Sequence, residues 1–139
     1  MNAPLYTTQI LRLAASLKEP HRLEREDGRA ELRAPTCGSR VTTLVSLDQD
    51  GRVRAISQVV HACAFGQASS AILEQGAIGR SREEVGAALV EITAWLGGEA
   101  DEPEWPNIAA LAPARSRASR HGAILLPFRA LLAAMKCRG

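Results

Sequence analysis

Cys63 lies where the sequence changes from a strand pattern to a helix pattern. Residues 53–60 predict a strand, and residues 64–75, rich in alanine, glycine and serine, predict a helix. At such a junction, unpaired backbone N–H groups and the positive end of the helix dipole stabilise a thiolate. A free cysteine is also a common small core residue, which is the structural alternative. The position of Cys63 therefore indicates metal or sulfur chemistry, provided that other ligands lie nearby.

Cys37 and Cys137 are the other two cysteines of the chain. Cys37 falls in a loop, residues 34–39, because Pro35 biases Ala34 towards an extended conformation. We expect no secretory leader, since no basic and then apolar segment with a cleavage site opens the chain. An odd number of cysteines at irregular spacing then favours ligands or reactive thiols over a disulfide framework.

His61 is a candidate additional ligand. It precedes Cys63 by two positions on an extended segment, where alternate side chains point to the same face. The structural alternative is a partly exposed strand histidine that binds nothing.

Composition limits the classes of function. The chain has 139 residues, of which 46% are hydrophobic, enough for one domain, 1–139, with a largely aliphatic core. No apolar run approaches the roughly 18 residues of a membrane span, so we expect a cytoplasmic protein without membrane contact. A net charge of +2, with no basic patch interleaved with aromatic residues, argues against nucleic acid as a partner.

The order of elements predicts an α+β fold. An N-terminal helix capped by Thr7 or Thr8 precedes three strands, and the Asp48 to Gly51 turn joins the second and third as an antiparallel hairpin. Ser81 and Glu84 form a capping box at the start of a later helix, and Pro127 fits the first position of a last helix. We therefore expect a three-stranded antiparallel sheet with helices packed on one face, including the N-terminal helix and the C-terminal helices.

These residues together resemble the U-type iron–sulfur cluster assembly scaffolds, the family of NifU N-terminal, IscU-like and SufU-like proteins. The resemblance covers nearly the whole chain and depends mainly on two cysteines 26 positions apart, each in its matching context. The matching segments are the helix start at residues 6–11, Ala34-Pro35-Thr36-Cys37-Gly38, the turn at 50–53, residues 63–70, and Arg120-His121-Gly122.

The resemblance implies that Cys37 and Cys63 are ligands of a transient [2Fe–2S] cluster or of a zinc or iron ion, with His121 as the third ligand. The sequence departs from the family at two ligand positions. The family's aspartate is Ser39 here, and its third cysteine is Gly122. A [2Fe–2S] cluster and a structural zinc ion each require four ligands, whereas this chain supplies three. Such a site can hold catalytic zinc, hold a labile cluster completed by a partner's cysteine or by His61, or hold nothing.

Three functions remain open. The resemblance implies a scaffold that works with a cysteine desulfurase and cluster acceptor proteins, as a monomer or weak homo-oligomer, and that is not an enzyme. The basic segment 115–139, beside His121, fits an acidic partner. An adaptor that kept the fold and lost cluster assembly, metal-free or stabilised by zinc, is the stronger alternative because of Ser39 and Gly122. A Cys–His hydrolase or transferase would need a base oriented on the thiolate and an oxyanion site, and nothing beyond Cys63 with His121 or His61 indicates either.

Overall fold

The computed structural model describes residues 6–35 and 38–136. In chain order its elements are α1 (Thr8–Ser16), β1 (Gly28–Arg33), β2 (Arg40–Leu47), β3 (Val53–His61), α2 (Ala64–Ala77), α3 (Arg82–Leu96), the 3₁₀ helix η1 (Ile108–Ser116) and α4 (Ala118–Lys136). The predicted α+β class is confirmed, because the three strands form one antiparallel sheet and helices cover one of its faces.

The sheet has the order β1-β2-β3. The β2–β3 hairpin closes at Gly51, whose φ of 78° lies in the left-handed region that favours glycine. The Asp48 carboxylate accepts hydrogen bonds of 2.9 Å from the backbone N–H groups of Asp50 and Arg52. This turn confirms the predicted hairpin and sets the register of the two strands.

The inner face of the sheet is the face covered by helices. α4 packs on β1 and β2, α2 packs on β3, α1 lies on α2, and α3 lies on α4. Side chains from the sheet and from α2 and α4 form one continuous core, which includes Val45, Ile56, Phe65, Ile72 and Phe128. Burial of these apolar side chains is what holds the helices against the sheet.

Two helix starts agree with the predicted caps. Thr7 is the N-cap of α1, and its hydroxyl accepts a hydrogen bond of 3.1 Å from the Ile10 N–H. Ser81 and Glu84 form the complete capping box of α3. Both motifs satisfy N–H groups that a helix start otherwise leaves unpaired.

The predicted start of the last helix was wrong. Pro127 lies inside α4, which begins at Ala118, so residues 120–122 form part of the helix rather than a segment before it. A proline inside a helix removes one backbone hydrogen bond. Here the helical turn before Pro127 places the Ile124 and Leu126 side chains in the core, and their burial favours a helix that continues through the proline. Among the described residues, no helix is long and apolar enough to cross a membrane.

Candidate functional site

Two connections meet at one end of the sheet. Arg40 pairs in register with Arg33 on β1 and with His61 on β3, so the β1–β2 loop and the β3–α2 junction lie side by side. The Ala34 N–H donates a hydrogen bond of 2.9 Å to the Ser39 carbonyl, which holds the two ends of the β1–β2 loop together. A shallow depression at this end is lined by Gly38, Ser39, Val60, His61, Ala62, Cys63 and Gln67.

Cys37 was predicted to share an ion with Cys63. Thr36 and Cys37 lie outside the described residues, so the distance between the two sulfur atoms stays a prediction. The next residue, Gly38, lines the depression together with Cys63. Gly38 and Ser39, the two residues that follow Cys37 in the sequence, thus lie in the same depression as Cys63.

Cys63 is the N-cap residue of α2 and carries a free, half-buried thiol. Its backbone is extended, with φ −67° and ψ 174°, and its side chain makes no capping hydrogen bond. The Gln67 side-chain amide donates to the Ala62 carbonyl at 3.0 Å, which fixes the turn on which Cys63 lies. Cys63 thus lies at the first turn of α2, where the helix N–H groups have no intrahelical partners, and it is partly exposed to solvent.

The starts of α2 and α4 touch beside Cys63. A Cβ atom at Gly66 would lie 3.5 Å from the Ala123 Cβ and carbonyl oxygen, an ordinary contact distance, but only 2.5 Å from the Ala62 Cβ, so the junction before α2 requires glycine here. The buried Ser69 hydroxyl donates to the Ile124 carbonyl at 2.6 Å. These contacts bring residues 121–123 of α4 next to the site.

His121 faces η1. Its Nε2 lies 2.9 Å from the Ala114 carbonyl oxygen and 3.2 Å from the Arg115 carbonyl oxygen. Because carbonyl oxygens only accept hydrogen bonds, Nε2 carries the proton and donates, which leaves Nδ1 as the nitrogen with a lone pair for a metal. A ligand role for His121 therefore requires binding through Nδ1 or rotation of the ring away from η1.

Ser39 and Gly122 occupy the two positions at which this chain departs from the scaffold pattern. Ser39 is 3% exposed and lines the depression. Gly122 lies one helical turn before Leu126, which packs with Ala34 and Val41 at the same sheet end. Ser39 thus lies in the depression, and Gly122 lies on the side of α4 that packs against this sheet end. A serine hydroxyl is a poor metal ligand at neutral pH, and glycine has no side chain to offer.

His61 lies at the rim of the depression. Val60 packs on the inner side of the sheet, so His61, the next residue of β3, points to the outer face and is exposed. Within residues 6–35 and 38–136, no three His, Cys, Asp or Glu side chains lie close enough to hold one metal ion. A complete ligand set would thus need Cys37, a moved histidine or a second molecule.

Arg33 and Arg40 were not singled out from the sequence. The strand register places them in one row with His61, directly beside the depression. The alternation of β1 indicated that Arg33 points away from the core, but only the pairing of the strands brings the three side chains together.

Comparison with known proteins gives matches among solved structures. No family model and no curated protein matches the chain. The crystal structure of a nitrogen-fixing NifU-like protein (N-terminal) from Brucella abortus matches with a TM-score of 0.88 and 30% identity, covering 96% of this chain and 93% of that one. A hypothetical protein of known structure matches with a TM-score of 0.70 and 26% identity, over 92% of this chain and 96% of that one.

A further structure shares the fold. It is the putative iron–sulfur cluster assembly scaffold protein for the SUF system from Fervidobacterium islandicum, with a TM-score of 0.80, 20% identity, and coverage of 94% of this chain and 96% of that one. The match to the Brucella protein, at 30% identity over 96% of this chain, shows the family. This chain belongs to the U-type family of NifU-like N-terminal domains.

Proposed function

We propose that this protein is an iron–sulfur cluster assembly scaffold that holds iron, zinc or a transient [2Fe–2S] cluster through Cys37 and Cys63. His121 is the third ligand in this proposal, through Nδ1. The iron and sulfide are cargo that the protein receives and passes on, so we propose a scaffold rather than an enzyme.

One observation carries the proposal. Cys63 is a half-exposed free thiol at the start of a helix, beside the loop that carries Cys37, in a chain that belongs to the NifU-like family. The depression that Cys63 lines leaves room for an ion to approach it. This arrangement supports binding of a soft metal by thiolates.

The ligand count argues for transient binding. A [2Fe–2S] cluster prefers four thiolate ligands, and Ser39 and Gly122 contribute none. With Cys37, Cys63 and His121 in place, one coordination position stays open for water, His61 or a thiol of a partner protein. A cluster bound in this way would be released easily, which suits a protein that hands it to an acceptor.

The expected partners follow from that chemistry. A cysteine desulfurase would supply sulfur, and a cluster acceptor would take the product. The Fervidobacterium protein, a putative scaffold for the SUF system that shares the fold of this chain, supports partners of this kind. A cytoplasmic location and a monomer or weak homo-oligomer remain part of this proposal.

Anaerobic reconstitution tests the proposal. The native protein is incubated with iron, cysteine and a desulfurase, desalted, and examined by visible absorption. We expect a cluster spectrum that is lost in Cys63→Ala and in Cys37→Ala and kept in Cys137→Ala, the matched control. His121→Ala should retain less metal, and Gly122→Cys should retain more cluster after desalting, because a fourth ligand would then face the site.

Two results would contradict the scaffold. One is a native protein that forms no cluster and binds no iron or zinc. The other is a cluster that survives in both Cys63→Ala and Cys37→Ala, which would place it outside the proposed site.

An adaptor is the second candidate, and specific observations favour it. Ser39 and Gly122 replace two ligands, and His121 Nε2 is hydrogen-bonded to backbone carbonyls. Metal analysis of the protein as isolated separates the two functions. About one iron or zinc per chain supports the scaffold, whereas a folded protein without metal that also fails reconstitution supports the adaptor. Thiol-dependent turnover of a generic ester would instead indicate an enzyme.

A further inference from the structure

Three basic side chains form one row on the outer face of the sheet. Arg40 of β2 pairs in register with Arg33 of β1 and with His61 of β3. Residues directly opposite each other in an antiparallel pair point to the same face, with Cβ atoms about 5 Å apart. We call Arg33, Arg40 and His61 the basic row.

The basic row lacks acidic partners among the residues that the structure describes. The ion pairs of Arg25 with Asp27 and of Arg52 with Glu84 lie away from the row. Glu31, two residues before Arg33 on the same face, accepts a hydrogen bond of 3.0 Å from the Thr42 hydroxyl. Like charges placed opposite one another destabilise a sheet, so the row is electrostatically unfavourable in the isolated protein.

The row is accessible. Arg33 and His61 are exposed, and Arg40 is half-buried. The segment before β1 crosses the outer face away from the row, at Ser57, four residues before His61 on β3. There the His21 N–H donates a hydrogen bond of 2.9 Å to the Ser57 hydroxyl. Val59, two residues before His61 on the same face, is 39% exposed. This end of the outer face therefore offers positive charge beside a small apolar contact.

The row also adjoins Cys63. His61 belongs both to the row and to the depression that Cys63 lines. A negatively charged group bound along the row would therefore lie beside the depression that contains Cys63.

We propose that the basic row docks an acidic segment of a partner protein that passes sulfur to Cys63 from a persulfide. The Cys63 sulfur attacks the outer sulfur of that persulfide, a new S–S bond forms as the old one breaks, and the partner's thiolate leaves with the electron pair. The carboxylates of that segment neutralise the row and hold the partner's own sulfur at the depression. The inference rests on the proposed function only in naming Cys63 as the reacting residue. It requires neither iron nor a bound cluster.

Charge complementarity identifies this occupant. A cleft or patch of one sign raises the local concentration of oppositely charged ligands and accelerates their association. Carboxylates match the guanidinium groups of Arg33 and Arg40 in geometry as well as in charge. The acidic connector of this chain, residues 99–104, has the same chemistry, so a second copy is the competing occupant that the experiment must separate.

A disulfide exchange reaction tests the proposal without metal. The probe is a synthetic peptide of alternating Glu and Ala that ends in a cysteine joined to thionitrobenzoate. The Cys63 thiolate attacks the peptide sulfur, a new S–S bond forms, and thionitrobenzoate leaves with the electron pair of the broken bond. Its colour reports the rate. A Cys37→Ser/Cys137→Ser background leaves Cys63 as the reacting thiol, and a peptide with Gln for Glu is the neutral control.

We expect the acidic peptide to react about tenfold faster than the neutral peptide at low ionic strength. High salt should abolish this difference in reaction rate between the two peptides, because ions screen exposed charges. Arg33→Gln/Arg40→Gln should remove the acceleration, whereas Arg12→Gln/Arg129→Gln, which removes two exposed arginines elsewhere, should keep it. Arg33→Gln alone, compared with Arg12→Gln, gives the same test if the double variant does not fold.

Three results would overturn the proposal. The first is an equal rate for the acidic and neutral peptides. The second is an equal loss of acceleration in the row variant and in the matched control. The third is a dimer of the native protein in sedimentation that disappears in Arg33→Gln, because the row would then hold a second copy. A failed cluster reconstitution would leave these rates unchanged, so the two proposals fail separately.

Discussion

Gly66 packs closely against Ala62 at the junction between β3 and α2. An alanine Cβ at this position would lie 2.5 Å from the Ala62 Cβ, whereas carbon atoms in contact are usually about 3.5–4.0 Å apart. The neighbouring atom belongs to the short, rigid Ala62 side chain, which cannot rotate away. Gly66→Ala therefore forces the backbone at the junction to shift by about 1 Å.

The expected magnitude combines two opposing effects. Overpacking of this kind costs about 1–3 kcal/mol, and replacing glycine by alanine inside a helix stabilises by up to about 1 kcal/mol. We expect Gly66→Ala to lower the free energy of unfolding by about 1–2 kcal/mol. Gly86→Ala is the matched control, because a Cβ there meets only the Leu132 Cδ1, at 3.8 Å. It should raise the free energy of unfolding by up to about 1 kcal/mol.

Urea unfolding with a double-mutant cycle isolates the contact. Ala62→Gly removes the atom that the new Cβ would meet, so Ala62→Gly/Gly66→Ala should be more stable than the sum of the single changes predicts. A coupling free energy of about 1 kcal/mol or more is expected. The contact between residues 62 and 66 does not constrain the junction if the effects of the two single changes on the free energy of unfolding add to within about 0.3 kcal/mol. The same conclusion follows if Gly66→Ala is as stable as Gly86→Ala.

Three further predictions concern stability. The backbone N–H of Ser81 holds the pKa of Glu84 below its ordinary value of 4.5, so this carboxylate stabilises the fold above that value, and the stabilisation is lost as the pH falls through the lower folded-state pKa. Glu84→Gln should lower the melting temperature at neutral pH and leave it unchanged in strong acid; an equal decrease at both pH values would refute this. The buried Thr43 hydroxyl has no hydrogen-bond partner among the described residues, so Thr43→Val should raise the free energy of unfolding in urea by about 1 kcal/mol, and a decrease would contradict the reasoning. The Trp105 Nε1 donates to the buried Ile72 carbonyl at 2.9 Å, so Trp105→Phe should lower the free energy of unfolding by about 1–3 kcal/mol in the same assay, and no change would argue that this hydrogen bond adds nothing.

The sequence by itself determined the parts of this protein that depend on neighbouring residues. The β2–β3 hairpin, the Thr7 cap and the Ser81–Glu84 box were predicted correctly, because each forms from a few residues along the chain. The position of Cys63 at a helix start was predicted for the same reason. The family was predicted from the contexts of two cysteines and is shown by the full-length structural match.

Tertiary structure decided the features that depend on distant contacts. α4 continues through Pro127 because the core buries the turns before it, although proline is locally unfavourable inside a helix. His121 turns to carbonyl groups of η1, and Arg33 joins Arg40 and His61 only through the strand register. Packing and register are set by residues far apart in sequence, so a local pattern could not predict which side chains meet at the end of the sheet.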